Sequence, residues 1–99
     1  MRLWSIFREI KAALDQEDIE GLLASGCPAD EYDSEASLIE SEIAKITEFG
    51  KKPLSLEQYE RIVIDVWIKQ FGPFKAEDLD MRSRAFSSVA QKIVAAACQ

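Results

Sequence analysis

Apolar residues recur at helical intervals from the beginning of the chain. Over residues 2–14 the intervals are three, four and seven, which place one stripe on a single helix face: Leu3, Ile6, Phe7, Ile10 and Leu14. A second, short helix is predicted to follow, with Asp15 as its N-cap and Gly26 at its end. Its apolar side consists of Ile19, Leu22 and Leu23.

Pro28 interrupts the chain, and a third helix is predicted from there to about Glu48. Asp30 or Asp33 is expected to be its N-cap, because a short carboxylate can accept hydrogen bonds from the free N–H groups of the first turn. Gly50 is the predicted stop. The inward stripe of this helix is formed by Ala36, Ile39, Ile43 and Ile46.

The next helix begins with a capping-box pattern, in which Ser55 caps the helix and Gln58 reaches back to the Ser55 backbone. The run 62–68 is rich in β-branched residues and has the composition of a strand. The strong start signal and the Gly72-Pro73 end favour a helix instead. Because apolar residues cover well over half of its circumference, this is predicted to be the most buried helix, packed on more than one neighbour.

The start of the last helix is open, with Leu79 as its first residue or Asp80 as its N-cap. Its stripe is formed by Phe86, Val89, Ala90, Ile93, Val94 and Ala97. Short connections between amphipathic helices favour an antiparallel bundle. The sequence therefore predicts an all-α fold over residues 1–99, a single domain built as a compact antiparallel bundle of four main helices plus one short helix.

The composition fits one domain in a reducing compartment. Ninety-nine residues with 47% hydrophobic content suffice for one core without a disulfide or a metal. The two cysteines, Cys27 and Cys98, lie far apart, which is typical of reduced thiols. The first residues lack the continuous apolar run of a signal peptide, and no stretch approaches the roughly 18 apolar residues of a membrane span. We therefore expect a cytoplasmic protein.

Negative charge is concentrated in the first half of the chain. From Asp15 to Glu48 there are eleven acidic residues and one basic residue, Lys45, a net charge of −10. The whole chain carries −6, so the remainder carries +4. Such a segment repels nucleic-acid phosphates and anionic membranes, so neither is an expected partner. The expected partner is a basic protein surface.

The residue types present exclude several kinds of chemistry. There is no histidine, which removes imidazole acid–base catalysis, His-dependent nucleophiles and the commonest zinc ligand. Two distant cysteines cannot alone form a four-thiolate site, and no glycine-rich phosphate-binding loop follows a strand. We therefore expect no enzymatic activity and no cofactor.

The candidate binding residues lie in the acidic stretch after Pro28: Asp30, Glu31, Tyr32, Asp33 and Glu35. Three interpretations are open: a solvated helix start stabilised by the helix dipole, a surface for a protein partner, or a carboxylate site for a hard cation. The spacing does not match the calcium-binding loop. The Tyr32 ring could cover the edge of the core with its hydroxyl in water, or anchor a contact patch that Glu42 extends.

Residues 16–23 and 26–35 resemble the YugE-like family of small bacterial proteins, in which an Ala-Pro-x-Asp-Glu-Tyr motif precedes an acidic helix start. Asp-Glu-Tyr-Asp-x-Glu at residues 30–35 carries the match, which covers residues 16–46. The earlier segment differs, with Glu17 in place of the family's tryptophan and Ile19 following Asp18 without a proline. The resemblance implies a small all-helical cytoplasmic bacterial protein, supplies no activity, and singles out Pro28 and residues 30–33 as the family's motif.

The leading functional hypothesis is a non-enzymatic protein-binding module that docks a basic protein surface through the acidic face of residues 15–48. Small acidic helical proteins that neutralise nucleases offer an analogy, so an immunity or inhibitor protein is one concrete form. One alternative is a carboxylate metal-binding protein or hydrolase. The other is a structural protein that forms homo-oligomers through its last helix.

Overall fold

Within the part of the chain that the structure describes, four helices form a closed ring in which each helix packs on two neighbours. The computed structural model describes residues 6–28, 30–48, 52 and 54–97. The helices are α1 (Phe7–Glu17), α2 (Asp33–Thr47), α3 (Leu56–Phe71) and α4 (Ala76–Ala97). Both α1 and α3 pack on α2 and on α4, the order expected of an up-and-down bundle. The all-α prediction is confirmed, and the described residues include no strand.

The centre of the shared core is the indole of Trp67, which is fully buried. Its ring centroid lies 4.9 Å from that of Phe71, 5.8 Å from that of Tyr32 and 6.3 Å from that of Phe86. Aromatic side chains bury roughly 150–250 Å² each, so this cluster is a major source of hydrophobic stabilisation. It joins α3 and α4 to the residue that precedes α2.

The start and the end of α3 agree with the prediction. Ser55 Oγ accepts a hydrogen bond from the Gln58 N–H (3.2 Å), and Gln58 Oε1 accepts one from the Ser55 N–H (2.8 Å), which confirms the capping box. The helix ends at Phe71 with Gly72 as its C-cap. A Cβ at Gly72 would overlap the carbonyl oxygen of Ile68, so the close approach of the chain requires glycine there.

The prediction that α3 is the most buried helix is wrong. It packs on two neighbours as expected, but so does every helix of the ring. Five of its side chains are buried, against six in α2. Because each helix of such a ring keeps one face towards solvent, some apolar residues of α3 remain outside the core; Ile68 is 37% exposed and Leu56 is 40% exposed.

The short second helix does not form. The first helix continues past Asp15 to Glu17, so Asp15 lies inside it and caps nothing. Asp18 then adopts a left-handed conformation (φ 44°) and ends the helix, and residues 19–26 consist mostly of turns. Gly21 and Gly26 also have positive φ, which interrupts any helical backbone there. In the stripe of the first helix, Leu3 lies outside the described residues, Phe7 is partly buried and the others are buried: Ile6, Ile10 and Leu14.

The N-cap of α2 is Tyr32, not Asp30 or Asp33, and no side chain accepts a capping hydrogen bond there. Its inward stripe also differs at the far end, where Ile46 is 45% exposed and Thr47 is buried instead. The Thr47 hydroxyl donates to the Ile43 carbonyl oxygen (2.6 Å), which satisfies its polar group inside the core. The predicted stop at Gly50 lies outside the described residues.

The last helix begins at Ala76, earlier than either predicted start. Its central stripe faces the core as predicted, with buried Phe86, Val89, Ala90 and Ile93, while Val94 and Ala97 are partly buried. Among the described residues, no helix combines the length and apolarity needed to cross a membrane. Cys27 is a free, partly exposed thiol, and Cys98 lies outside the described residues.

Candidate functional site

A network of polar contacts centred on Asp18 shapes the turns between α1 and α2. The Asp18 carboxylate accepts hydrogen bonds from the backbone N–H groups of Leu23 (3.1 Å) and Ala24 (2.9 Å). It also accepts one from the Tyr32 hydroxyl, at 2.6 Å. These contacts, with the Tyr32 bond foremost, lower the pKa of Asp18. The Asp18 carboxylate, at the beginning of this loop, therefore binds both the middle of the loop and its last residue, Tyr32.

Tyr32 is a core residue, not a surface residue. Its exposure is 0%, so neither position considered for it from sequence is correct: its hydroxyl is not in bulk water, and its ring cannot anchor a partner. The hydroxyl donates to Asp18 and accepts from the N–H groups of Glu20 (3.2 Å) and Leu22 (3.4 Å). Burial, and then the bond to Asp18, raise the pKa of Tyr32 to about 12. It is therefore a neutral donor at physiological pH.

Glu20 connects the loop to α3 and α4. Its carboxylate receives two hydrogen bonds from Arg82, Nε to Oε2 at 2.6 Å and Nη2 to Oε1 at 2.9 Å. Trp67 Nε1 donates to Oε2 at 2.8 Å. Arg82, and then Trp67, lower the pKa of Glu20 against the opposing effect of burial. The Arg82 guanidinium also lies 4.6 Å from the centroid of the Phe74 ring, which is a cation–π distance.

Glu17, the last residue of α1, makes a similar contact with α4. Its Oε2 accepts hydrogen bonds from the Lys92 ammonium and the Ser88 hydroxyl, both at 2.7 Å. Lys92, followed by Ser88, lowers the pKa of Glu17. Two cations of α4 thus neutralise two carboxylates of the predicted acidic face.

The five candidate residues do not form one surface. Asp30 and Glu31 are exposed, whereas Tyr32 and Glu35 are buried, with exposures of 0% and 5%. Asp33 is partly buried and lies 3.4 Å from the Lys11 ammonium. A partner could therefore reach Asp30, Glu31 and the 42% exposed side chain of Asp33, but neither Tyr32 nor Glu35. The accessible patch is narrower than the five residues predicted.

The side chain of Glu35 is buried in the folded protein, although a glutamate carboxyl in water is ionised at neutral pH. Its Oε1 atom is buried and has no hydrogen-bond partner. Desolvation raises the pKa of this carboxyl; its own backbone N–H opposes the rise, and the charges of Glu31 and Asp33 add to it. The ionised form of Glu35 therefore destabilises the folded state.

Replacing Glu35 with glutamine is expected to increase the free energy of unfolding by about 1 kcal/mol at about pH 7, since an amide costs less to bury than a carboxylate. In the wild type, the folded pKa of Glu35 lies above the ordinary value of 4.5, because the folded state favours the protonated carboxyl. The stability that this group contributes is therefore complete below pH 4.5 and is lost as the pH rises through the folded pKa. The gain from the substitution should thus shrink at about pH 4. Urea denaturation at both pH values measures it.

Glu42→Gln provides the matched control, because Glu42 lies one heptad further along α2 and its side chain is 43% exposed. We expect its effect to stay within about 0.5 kcal/mol. An equal gain in both variants would show that general charge repulsion, and not burial of Glu35, is responsible.

Sequence reasoning missed the residues that the structure brings together: Asp18, Glu20, Trp67 and Arg82. One signal was available, because a tryptophan on an apolar helix face needs an acceptor for its N–H when it is buried. Nothing local to Trp67 indicates that the acceptor is Glu20, 47 residues earlier. The network consists of paired and hydrogen-bonded groups, and its evident role is to hold the loop against the bundle.

No group of three or more histidine, cysteine, aspartate or glutamate side chains within the described part of the chain is arranged to hold a metal ion.

The resemblance to YugE-like proteins stays a prediction that depends on the motif at residues 30–35. Comparison of the chain with protein-family models, with curated proteins and with solved structures finds no match.

Proposed function

We propose that the protein is a non-enzymatic binding module that docks a basic protein surface on the outer side of α2 and its preceding turn. This surface is narrower than the face expected from the sequence. Glu17 and Glu20 belong to the internal network, where Lys92 and Arg82 compensate their charges. Asp15 is paired with Lys11 at 2.6 Å.

The observation that carries the proposal is the charge that remains on the outside. Residues 30–48 contain seven acidic residues and one lysine, a net charge of −6. Asp30, Glu31 and Glu48 are exposed, and the Glu42 side chain is 43% exposed. Among the described residues, the surface pairs that offset them are weak, such as Glu42 with Lys45 (3.5 Å) and Glu48 with Lys52 (3.1 Å), because the side chains of both pairs are largely exposed. We call these four carboxylates the acidic face.

A surface of this kind acts mainly on the rate and the selectivity of association. Like charges repel nucleic acid and anionic membranes, whereas a cationic protein is attracted and binds faster at low ionic strength. An immunity or inhibitor protein that covers a basic partner is one form of this function. The partly exposed free thiol of Cys27 is compatible with the reducing, cytoplasmic location that belongs to the proposal.

The test is capture of partner proteins on the immobilised chain at about 0.05 M and about 0.5 M salt, where screening differs strongly. We expect a cationic partner to be retained at low salt and released at high salt. A variant that neutralises the acidic face should lose it: Asp30→Asn, Glu31→Gln, Glu42→Gln and Glu48→Gln.

A control variant removes the same number of charges from exposed positions elsewhere: Glu9→Gln, Glu57→Gln, Glu77→Gln and Asp80→Asn. It has the same net charge as the first variant and should retain the partner. The proposal fails if the two variants behave alike, or if no cationic protein is retained at low salt.

A further inference from the structure

Three hydrogen-bond donors from α3 and α4 converge on one carboxylate. Arg82 Nε and Nη2 donate to the two oxygens of Glu20, at 2.6 and 2.9 Å, and Trp67 Nε1 donates to Oε2 at 2.8 Å. A guanidinium that binds both oxygens, with a further donor beside it, is the geometry by which proteins recognise carboxylates. The three donors therefore have the arrangement of a carboxylate-binding site, and Glu20 occupies it.

The donors are held in place by contacts that do not involve Glu20. Arg82 Nη1 donates to the Asp78 carbonyl oxygen at 2.9 Å, one turn earlier in α4, and the guanidinium lies 4.6 Å from the centroid of the Phe74 ring. The indole of Trp67 is fixed within the buried aromatic cluster. Because both side chains are positioned by the bundle itself, the site stays preorganised when the Glu20 carboxylate leaves it.

Glu20, in contrast, belongs to a loop whose other hydrogen bonds do not reach α3 or α4 among the described residues. The N–H groups of residues 20–26 donate to acceptors within residues 18–23 or to the Tyr32 hydroxyl. No side chain of residues 19–26 is fully buried. Movement of this loop away from the bundle therefore breaks the contacts of the Glu20 carboxylate and two bonds to Tyr32, while the internal hydrogen bonds of the loop remain.

We propose that Arg82 and Trp67 bind the carboxylate of a small organic acid, and that the loop of residues 19–26 closes this site by placing Glu20 in it. Glu20 is an internal competitor, and the external acid binds as the loop opens. An ionised acid restores the negative charge that Glu20 supplies to Arg82, so the charge balance of the site is unchanged. The aromatic rings beside the donors favour an acid with a short apolar chain.

The first experiment removes the internal competitor with Glu20→Ala and uses propionate as the probe. Propionamide has the same shape without the charge, and sodium chloride matches the ionic strength. With a Kd of about 10 mM, a reasonable value for so small a ligand, about 0.1 M propionate should raise the melting temperature of the variant by about 5 °C relative to chloride. Propionamide should not raise it.

The wild type is the control for a general effect of the anion, because Glu20 already occupies its site, and its melting temperature should change by less than about 1 °C. Should Glu20→Ala not melt cooperatively in chloride, propionate is expected to restore a cooperative transition. Equal melting of the variant in all three solutes, or an equal shift in the wild type, would overturn the proposal.

The second experiment asks whether an external acid displaces Glu20 from the site of the wild type. The amides of Glu20 and Leu22 bond to the Tyr32 hydroxyl and become accessible when the loop opens. An acid that binds only the open form raises the population of that form by the factor 1 + [L]/Kd, so about 0.1 M propionate should accelerate their hydrogen exchange by about tenfold over chloride.

Amides in the middle of α3 should exchange at the same rate in both salts. If propionate leaves the amides of Glu20 and Leu22 unchanged, the contact between Glu20 and Arg82 is a structural ion pair and the proposal fails. It fails equally if α3 is accelerated to the same extent, because the anion then destabilises the whole bundle. The site shares no residue with the acidic face, so these results leave the proposed function to its own charge variants.

Discussion

Replacing Glu20 with glutamine is expected to lower the free energy of unfolding by about 2–3 kcal/mol and the melting temperature by roughly 10–20 °C. The substitution keeps the shape of the side chain and removes its charge. One of the two oxygens that accept from Arg82 becomes an amide nitrogen, which cannot accept, and the other loses its charge, in a site where the Arg82 side chain is only 21% exposed. Thermal melting and urea denaturation measure the loss, and Glu31→Gln, an exposed position, should change stability by less than about 0.5 kcal/mol.

A double-mutant cycle separates the ion pair from other effects of the substitution. Arg82→Met alone should also destabilise, because Glu20 keeps only Trp67 as a donor from the other helices. The double variant should be more stable than the sum of the single losses allows, by about 1 kcal/mol or more. Strict additivity would show that the contact between Glu20 and Arg82 contributes nothing.

The ion pair between Glu20 and Arg82, with the neighbouring carboxylates, should make the free energy of unfolding depend on pH. Partners lower the folded pKa values of Glu17, Asp18 and Glu20 below their ordinary values. Stability from these groups is therefore present above their unfolded pKa values and is lost as the pH falls through the folded ones. The deficit of Glu20→Gln relative to the wild type should be largest near neutral pH and should shrink in acid, whereas the Glu35 contribution changes in the opposite direction.

Replacing Tyr32 with phenylalanine is expected to lower the free energy of unfolding by about 2 kcal/mol. The ring, which packs 5.8 Å from that of Trp67, is retained, so the loss comes from the hydroxyl. Asp18 loses its shortest hydrogen bond, and the N–H groups of Glu20 and Leu22 lose their acceptor. Chemical denaturation at about pH 7 measures the change.

Amide hydrogen exchange shows which part of the structure the loss of the Tyr32 hydroxyl destabilises. In the Tyr32→Phe variant, the amides of residues 20–24 should exchange faster than the difference in global stability explains, because the loop opens locally. Amides in the middle of α3 serve as the internal reference, and their exchange should follow global unfolding alone. A uniform change in both regions would mean that the hydroxyl stabilises the whole bundle and does not hold this loop.

The sequence alone determined the four main helices and several of their ends, but not the turns that stand where the short second helix was predicted. Periodicity of apolar residues, the capping box at Ser55 and the stop at Gly72 act within one or two turns of backbone, so a local pattern carries them. The same locality explains one error. Asp15 has the chemistry of an N-cap, but nothing nearby stops α1 until Asp18 adopts a left-handed conformation.

Only the tertiary structure decided which acidic residues face solvent. The partners of Glu17 and Glu20 lie between 47 and 75 residues away in the chain, and the burial of Glu35 depends on what packs over it. Tyr32 looks like a surface residue among carboxylates, yet the aromatic cluster around Trp67 draws it into the core. Hydrogen bonding, ion pairing and desolvation depend on distances between segments that no local pattern contains, so the charge along the chain did not reveal the charge on the surface.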